Sequence, residues 1–168
     1  MKYIIKNKII SWGAGSTVTD EAGKELYFIK GKVFTLSKMK YVRDMDKNNL
    51  YIVRNRFINL LLPKVFICDK DGKKLMVIKK KKLFSLKQNF EVLPLDTEAA
   101  PQWSILGDII GRHYSIVENG DPIAHVRKNF NLIKDSFWLE TEDERVPLLL
   151  AFVIAIDNYY DKLKNENR

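Results

Sequence analysis

The feature that most limits how this 168-residue chain can fold is a degenerate repeat. In each copy an extended apolar segment runs into an acidic turn, and a second extended segment follows. That second segment ends in an apolar residue, then basic residues, then a bulky apolar one. The copies read "VTDEAGKELYFIKGKVF" from Val18 to Phe34, "VRDMDKNNLYIVRNRF" from Val42 to Phe57, "ICDKDGKKLMVIKKKKLF" from Ile67 to Phe84 and "IVENGDPIAHVRKNF" from Ile116 to Phe130. Asp20, Asp44 and Asp69 are 24 and 25 residues apart, and Glu118 follows 49 later, with a diverged unit around "WSILGDIIGRHY" filling the gap. Gly, Asn and Asp cluster in the turns because they tolerate positive φ or bond their own backbone, so each copy is predicted to be a β-hairpin.

Four or five hairpins give roughly ten to twelve strands, and a sheet that large closes or splits to avoid long exposed edges. Repetition of one meandering unit predicts closure into a mainly β, antiparallel barrel of about 12 strands, spanning residues 2 to 140. After the last strand the pattern changes, with no turn residue from Glu144 to Asp157 and an apolar block in place of alternation. This predicts a helix over about 143–163, with Thr141 and Glu144 at capping-box spacing, Asp143 as an alternative cap and Pro147 in the first turn. "VPLLLAFVIAI", Val146 to Ile156, is apolar for 11 residues in a row and so on every face. A helix of that kind is buried all round. A barrel of about twelve strands is too wide for its own side chains to fill, so the helix is expected inside it.

Eleven apolar residues fall short of the roughly 20 needed to span a bilayer as a helix, so no transmembrane segment is expected. In "MKYIIKNKIISW" Lys6 and Lys8 interrupt the apolar core a secretion signal needs. A single cysteine, Cys68, rules out an intramolecular disulfide and a multi-cysteine metal site, which favours the cytoplasm. One domain over residues 1–168 fits the length.

The elements "IKGKVFTL", "IKKKKLFSL" and "VRKNFNLIKDSF", the unit "WSILGD" and the terminal "LLLAFVIAID" together resemble the LURP-one-related family. The likeness runs from Tyr3 to about Tyr160. It implies the tubby C-terminal-like barrel shared with phospholipid scramblases, twelve strands around a hydrophobic C-terminal helix. Tubby proteins bind phosphoinositides through basic residues on the barrel, which implies an anionic headgroup as ligand. The single cysteine departs from the cysteine-rich segment of the scramblases.

Among motifs with possible chemistry, "DKDGK" begins like a calcium loop, but Lys80 stands where an EF-hand needs glutamate, so it reads as a turn. "GAGS", Gly13 to Ser16, lacks a third glycine and a following helix, so it reads as a loop and not a phosphate cradle. His113 and His125 have no zinc spacing and read as sheet residues; Cys68 reads as a buried or half-buried strand residue. Asp157 is expected to emerge into solvent or to bond a barrel backbone group. Trp12, Trp103 and Trp138 are scattered without basic interleaving, which disfavours nucleic acid as a partner.

The excess of 29 Lys and Arg over 21 Asp and Glu gives +8, which favours an anionic partner. The expectation is a non-enzymatic binding module without cofactor or metal. It would be peripheral at a membrane, with an anionic lipid surface as partner and Lys79, Lys80, Lys81, Lys82, Arg54, Arg56, Lys30 and Lys32 as the headgroup site. A scaffold for an acidic protein is the alternative. Neighbouring side chains on a strand point to opposite faces, so four lysines in "IKKKKLF" predict a bulge or bend there.

Overall fold

A computed structural model of the chain describes residues 1–7, 15–31, 39–56, 64–80, 90–96, 98, 100–109, 113–129 and 136–166. The predicted hairpins form. The elements are β1 (Lys2–Asn7), β2 (Ser16–Thr19), β3 (Glu25–Lys30), β4 (Met39–Arg43), β5 (Asn49–Arg56), β6 (Lys64–Asp69) and β7 (Lys74–Lys80). They continue with β8 (Phe90–Pro94), β9 (Trp103–Asp108), β10 (His113–Glu118), β11 (Asp121–Asn129), β12 (Ser136–Thr141) and α1 (Val146–Glu166).

All twelve strands join one antiparallel sheet in the order β8-β7-β6-β5-β4-β3-β2-β1-β12-β11-β10-β9. The sheet curls until its two terminal strands, β8 and β9, touch without a ladder between them, making a nearly closed barrel.

The repeat has a shared atomic cause. Asp20, Asp44 and Asp69 each accept a hydrogen bond on Oδ1 from the backbone N–H four residues on, at 2.9, 2.8 and 2.8 Å. The residue three positions after each acid, Gly23, Lys47 or Gly72, has positive φ and donates its N–H to the acid's carbonyl. A register shift sits one or two residues before each acid, between Val18 and Thr19, Val42 and Arg43, and Ile67 and Cys68. Each turn therefore carries its own bulge, the usual partner of a short hairpin loop with one left-handed residue. The bulge expected in the lysine tract is not found as far as Lys80, because Lys79 pairs with Glu91 and Lys80 with Phe90 in regular register.

Alternation places Ile5, Val18, Ile29, Val42, Val53, Val65, Ile67, Ile116, Val126 and Leu139 inside, where they are buried around α1. The helix is buried from Leu148 to Tyr159. It packs most closely on β5 and β6. It starts later than the cap residues predicted. Thr141 ends β12, accepts the Asp143 N–H at 3.0 Å and donates to the Ile123 carbonyl at 2.7 Å, while Asp143 accepts the Arg145 N–H at 2.7 Å. The first helical hydrogen bond goes to the Arg145 carbonyl, so Thr141 and Asp143 shape the turn into the helix and do not cap it.

No helix among the described residues is long and apolar enough to cross a membrane. That statement concerns helices and not barrels.

Candidate functional site

A basic row lies on the outer face near the ends of β5, β6 and β7. The register pairs Arg56 with Lys64 and Lys64 with Lys79, so three cations stand side by side across three strands. Neighbouring strands are about 4.8 Å apart, which makes the row about 10 Å wide. Like charges directly opposite on neighbouring strands repel each other, and an opposite charge nearby relieves that repulsion. Lys79 is held partly by Glu91 on β8, its Nζ at 3.1 Å from the carboxylate.

Two residues along β5, Arg54 points to the same face, between Met39 on β4 and Phe66 on β6. Arg54 and Arg56 are exposed. Lys30 on β3 shares the face but lies farther round, its ammonium 5.8 Å from the Tyr41 ring centroid. Within the row's sector, Phe66, Cys68 and Val77 form a small outer apolar cluster with Ile52 and Leu93, and Lys74 Nζ sits 4.7 Å over the Phe66 ring.

Of the eight positions expected to bind a headgroup, Arg54, Arg56 and Lys79 come together and Lys30 stands apart on the same face. Lys80 ends β7 opposite Phe90. Lys32, Lys81 and Lys82 fall outside the described residues. Lys64, which links Arg56 to Lys79, was missed. Its signal is weak in the sequence, a single lysine opening "KVFICD", because only the cross-strand register reveals its neighbours.

A second polar group lies inside the barrel. Lys40 is buried on β4 and donates to the Asn158 side-chain oxygen on α1, whose amide donates in turn to Asn55 on β5 at 3.2 Å. Lys128 on β11 faces Asp157 at 3.8 Å, with side chains 4% and 1% exposed. Asp157 therefore does not emerge into solvent as one expectation had it; it pairs with a barrel side chain, because α1 stays enclosed to Tyr159.

The LURP-one-related family model matches residues 1–157. This chain belongs to the LURP-one-related family. No curated protein matches it. A solved X-ray structure of an Arabidopsis thaliana protein is similar over 95% of this chain and 91% of that one, at a TM-score of 0.57 and 13% identity. At that identity the likeness concerns the fold, and the shared architecture agrees with the barrel and its enclosed helix.

The other candidate chemistries of this LURP-one-related chain resolve into structure. Cys68 is 1% exposed, and burial pushes its thiol up despite nearby Arg54 and Lys74, the opposite of what a nucleophile needs. Asp69 of "DKDGK" spends its carboxylate on the N–H groups of Asp71 and Lys73. In "GAGS", a Cβ at Gly15 would lie 2.5 Å from the Ile29 carbonyl, so glycine is needed there for close packing on β3. Ser115 Oγ and His125 Nδ1 are 2.8 Å apart, but on the outer sheet face, where a bound reactant would remain in water.

At the barrel mouth where α1 begins, Arg145 forms a bidentate contact with Glu118, at 3.0 and 2.5 Å, and its Nε is 2.9 Å from Asp143. Its guanidinium lies 5.3 Å from the Trp103 ring centroid. Hydrogen bonds from Arg145 hold both carboxyls below their ordinary range. A depressed folded pKa contributes stability above the unfolded value, about 3.9 for Asp and 4.3 for Glu, and loses it as pH falls through the folded value. Arg145 is 40% exposed on its side chain, so screening holds the network near 1 kcal/mol. Urea midpoints at neutral pH and near pH 3 should therefore differ less for Arg145→Met than for the parent. An equal acid loss in both proteins would remove this role.

Proposed function

We propose that this LURP-one-related barrel is a non-enzymatic binding module that attaches reversibly to anionic phospholipid or phosphoinositide headgroups, as a peripheral protein on the cytoplasmic side of a membrane. The observation that carries the reading is the cross-strand row Arg56, Lys64 and Lys79, joined by Arg54 on the same face. Three adjacent cations on a rigid sheet pay little ordering entropy on binding, and each Lys or Arg near an anionic surface contributes about 1 kcal/mol. Lys79 contributes less than that, because Glu91 already neutralises part of its charge. Lys30 shares the outer face, with Lys80, Lys32, Lys81 and Lys82 as further candidates in the sequence.

Co-sedimentation with phosphatidylserine-containing and pure phosphatidylcholine vesicles at low salt tests the reading. Enrichment on the anionic vesicles is expected, and equal pelleting with both would end it. The outer apolar cluster of Phe66, Cys68 and Val77 favours a second reading, a scaffold for an acidic protein in which cations surround an apolar contact. Capture that survives high salt and depends on Phe66 would point to that partner.

A further inference from the structure

Among the described residues, charge is segregated along the barrel axis. The six connections at the end where α1 begins, together with strand residues that flank them, lie within residues 19–25, 43–49, 69–74, 95–102, 117–122 and 140–146. They carry 15 Asp and Glu against 7 Lys and Arg, a net of −8. Outside these segments the described side chains comprise ten Lys and Arg against three acids; of the ten, Lys2 lies at the acidic end beside Glu21 and Glu140, and Lys40 and Lys128 are buried.

At the opposite ends of the strands the described outward cations are Lys6 on β1, Lys30 on β3, Arg56 on β5, Lys64 on β6, Lys79 on β7 and Arg127 on β11. The described carboxylate side chains on that side are Glu91, which pairs with Lys79, Asp108 and the buried Asp157.

Two physical consequences follow from this placement. A strand of six residues is about 20 Å long at roughly 3.3 Å per residue and, tilted about 40° in a barrel, holds the two ends about 15 Å apart, nearly twice the Debye length of about 8 Å at physiological salt. An anionic surface touching one end is therefore screened from the other, and the repelled acidic end orients the approach. The cations also follow the rim from β7 round to β11, nine adjacent strands of the sheet order. A nucleic-acid strand or an extended peptide would need them in a line, whereas a ring at one end meets a plane.

We infer that the barrel meets an anionic phospholipid surface end-on, with the end where α1 finishes against the headgroups and the acidic turns facing water. This rests on the lipid-binding reading above and adds the orientation. Met39 and Met45 offer matched reporters, since Met39 opens β4, which runs about 13 Å to Arg43, and Met45 lies in the turn beyond it; they are 39% and 47% exposed.

The test places one fluorophore at Met39→Cys or Met45→Cys in a Cys68→Ala background, on phosphatidylserine-containing vesicles with a nitroxide on a fraction of the headgroups. Strong quenching at position 39 with little at 45 is expected. Equal quenching, or more at 45, with vesicle binding intact would overturn the orientation and leave lipid binding standing. Loss of any preference for phosphatidylserine in the unlabelled full chain would overturn both. Arg56→Gln with Lys64→Gln should lower partitioning roughly 30-fold, while Asp46→Asn with Glu142→Gln should change it by about twofold or less. Similar losses from both pairs would contradict an end-on arrangement, and circular dichroism of each variant separates misfolding from lost binding.

Discussion

Asp157→Ala should destabilise the barrel by about 3–5 kcal/mol, the usual cost of removing one partner from a buried ion pair. Asp157 and Lys128 face each other at 3.8 Å with side chains 1% and 4% exposed, and the Lys128 ammonium also lies 5.2 Å from the Phe137 ring centroid. Without the carboxylate, an ammonium is left deep between α1 and β11. For a domain of this size each kcal/mol moves Tm by about 2–4 °C, so thermal unfolding should fall by roughly 6–20 °C. The double variant Lys128→Met with Asp157→Leu should recover much of that loss, since an apolar pair of similar volume carries no desolvation penalty. A single variant melting within about 2 °C of the parent would contradict the pairing.

The second large effect concerns the enclosed helix. Phe152→Ala should cost about 3–5 kcal/mol, through lost transfer energy and the cavity left behind. Phe152 is fully buried and packs edge-on against Trp103, ring centroids 5.3 Å apart at 84°. Trp103 in turn lies under the Arg145 guanidinium, so the ring stack links the helix to the strand edge and the barrel mouth. Urea unfolding should show a lower midpoint with an unchanged slope, because the surface exposed on unfolding stays nearly the same. A loss below about 1 kcal/mol would mean that α1 is packed loosely enough to collapse around the gap.

Much of this architecture is legible in the chain because each hairpin repeats the same local chemistry. Asp20, Asp44 and Asp69 recur at nearly constant spacing, and each proves to be the turn acceptor. The helix is legible from an apolar block that no surface position could accept. Its start is less so, since Thr141, Asp143 and Glu144 fit a capping pattern that the chain uses instead to leave β12 and aim α1 into the barrel.

Lys40 could have been placed inside, because it stands two residues before Val42 on one strand and so shares its face. Its partner Asn158 lies 118 residues away, and nothing local announces that contact. The basic row has the same limit. Arg56, Lys64 and Lys79 belong to three strands, and their adjacency is a property of register, which the turns and bulges set at a distance. Of the lysines after Ile78, Lys79 is the one that the described sheet places in this row.

The measurement that bears most directly on the central claim is equilibrium partitioning of the full chain onto phosphatidylserine-containing vesicles across a series of salt concentrations. Attachment through the cationic end predicts partitioning that falls steeply as salt rises, with a shallower fall from a lower starting value for Arg56→Gln with Lys64→Gln. Partitioning that ignores salt, or that is the same on pure phosphatidylcholine, would contradict it.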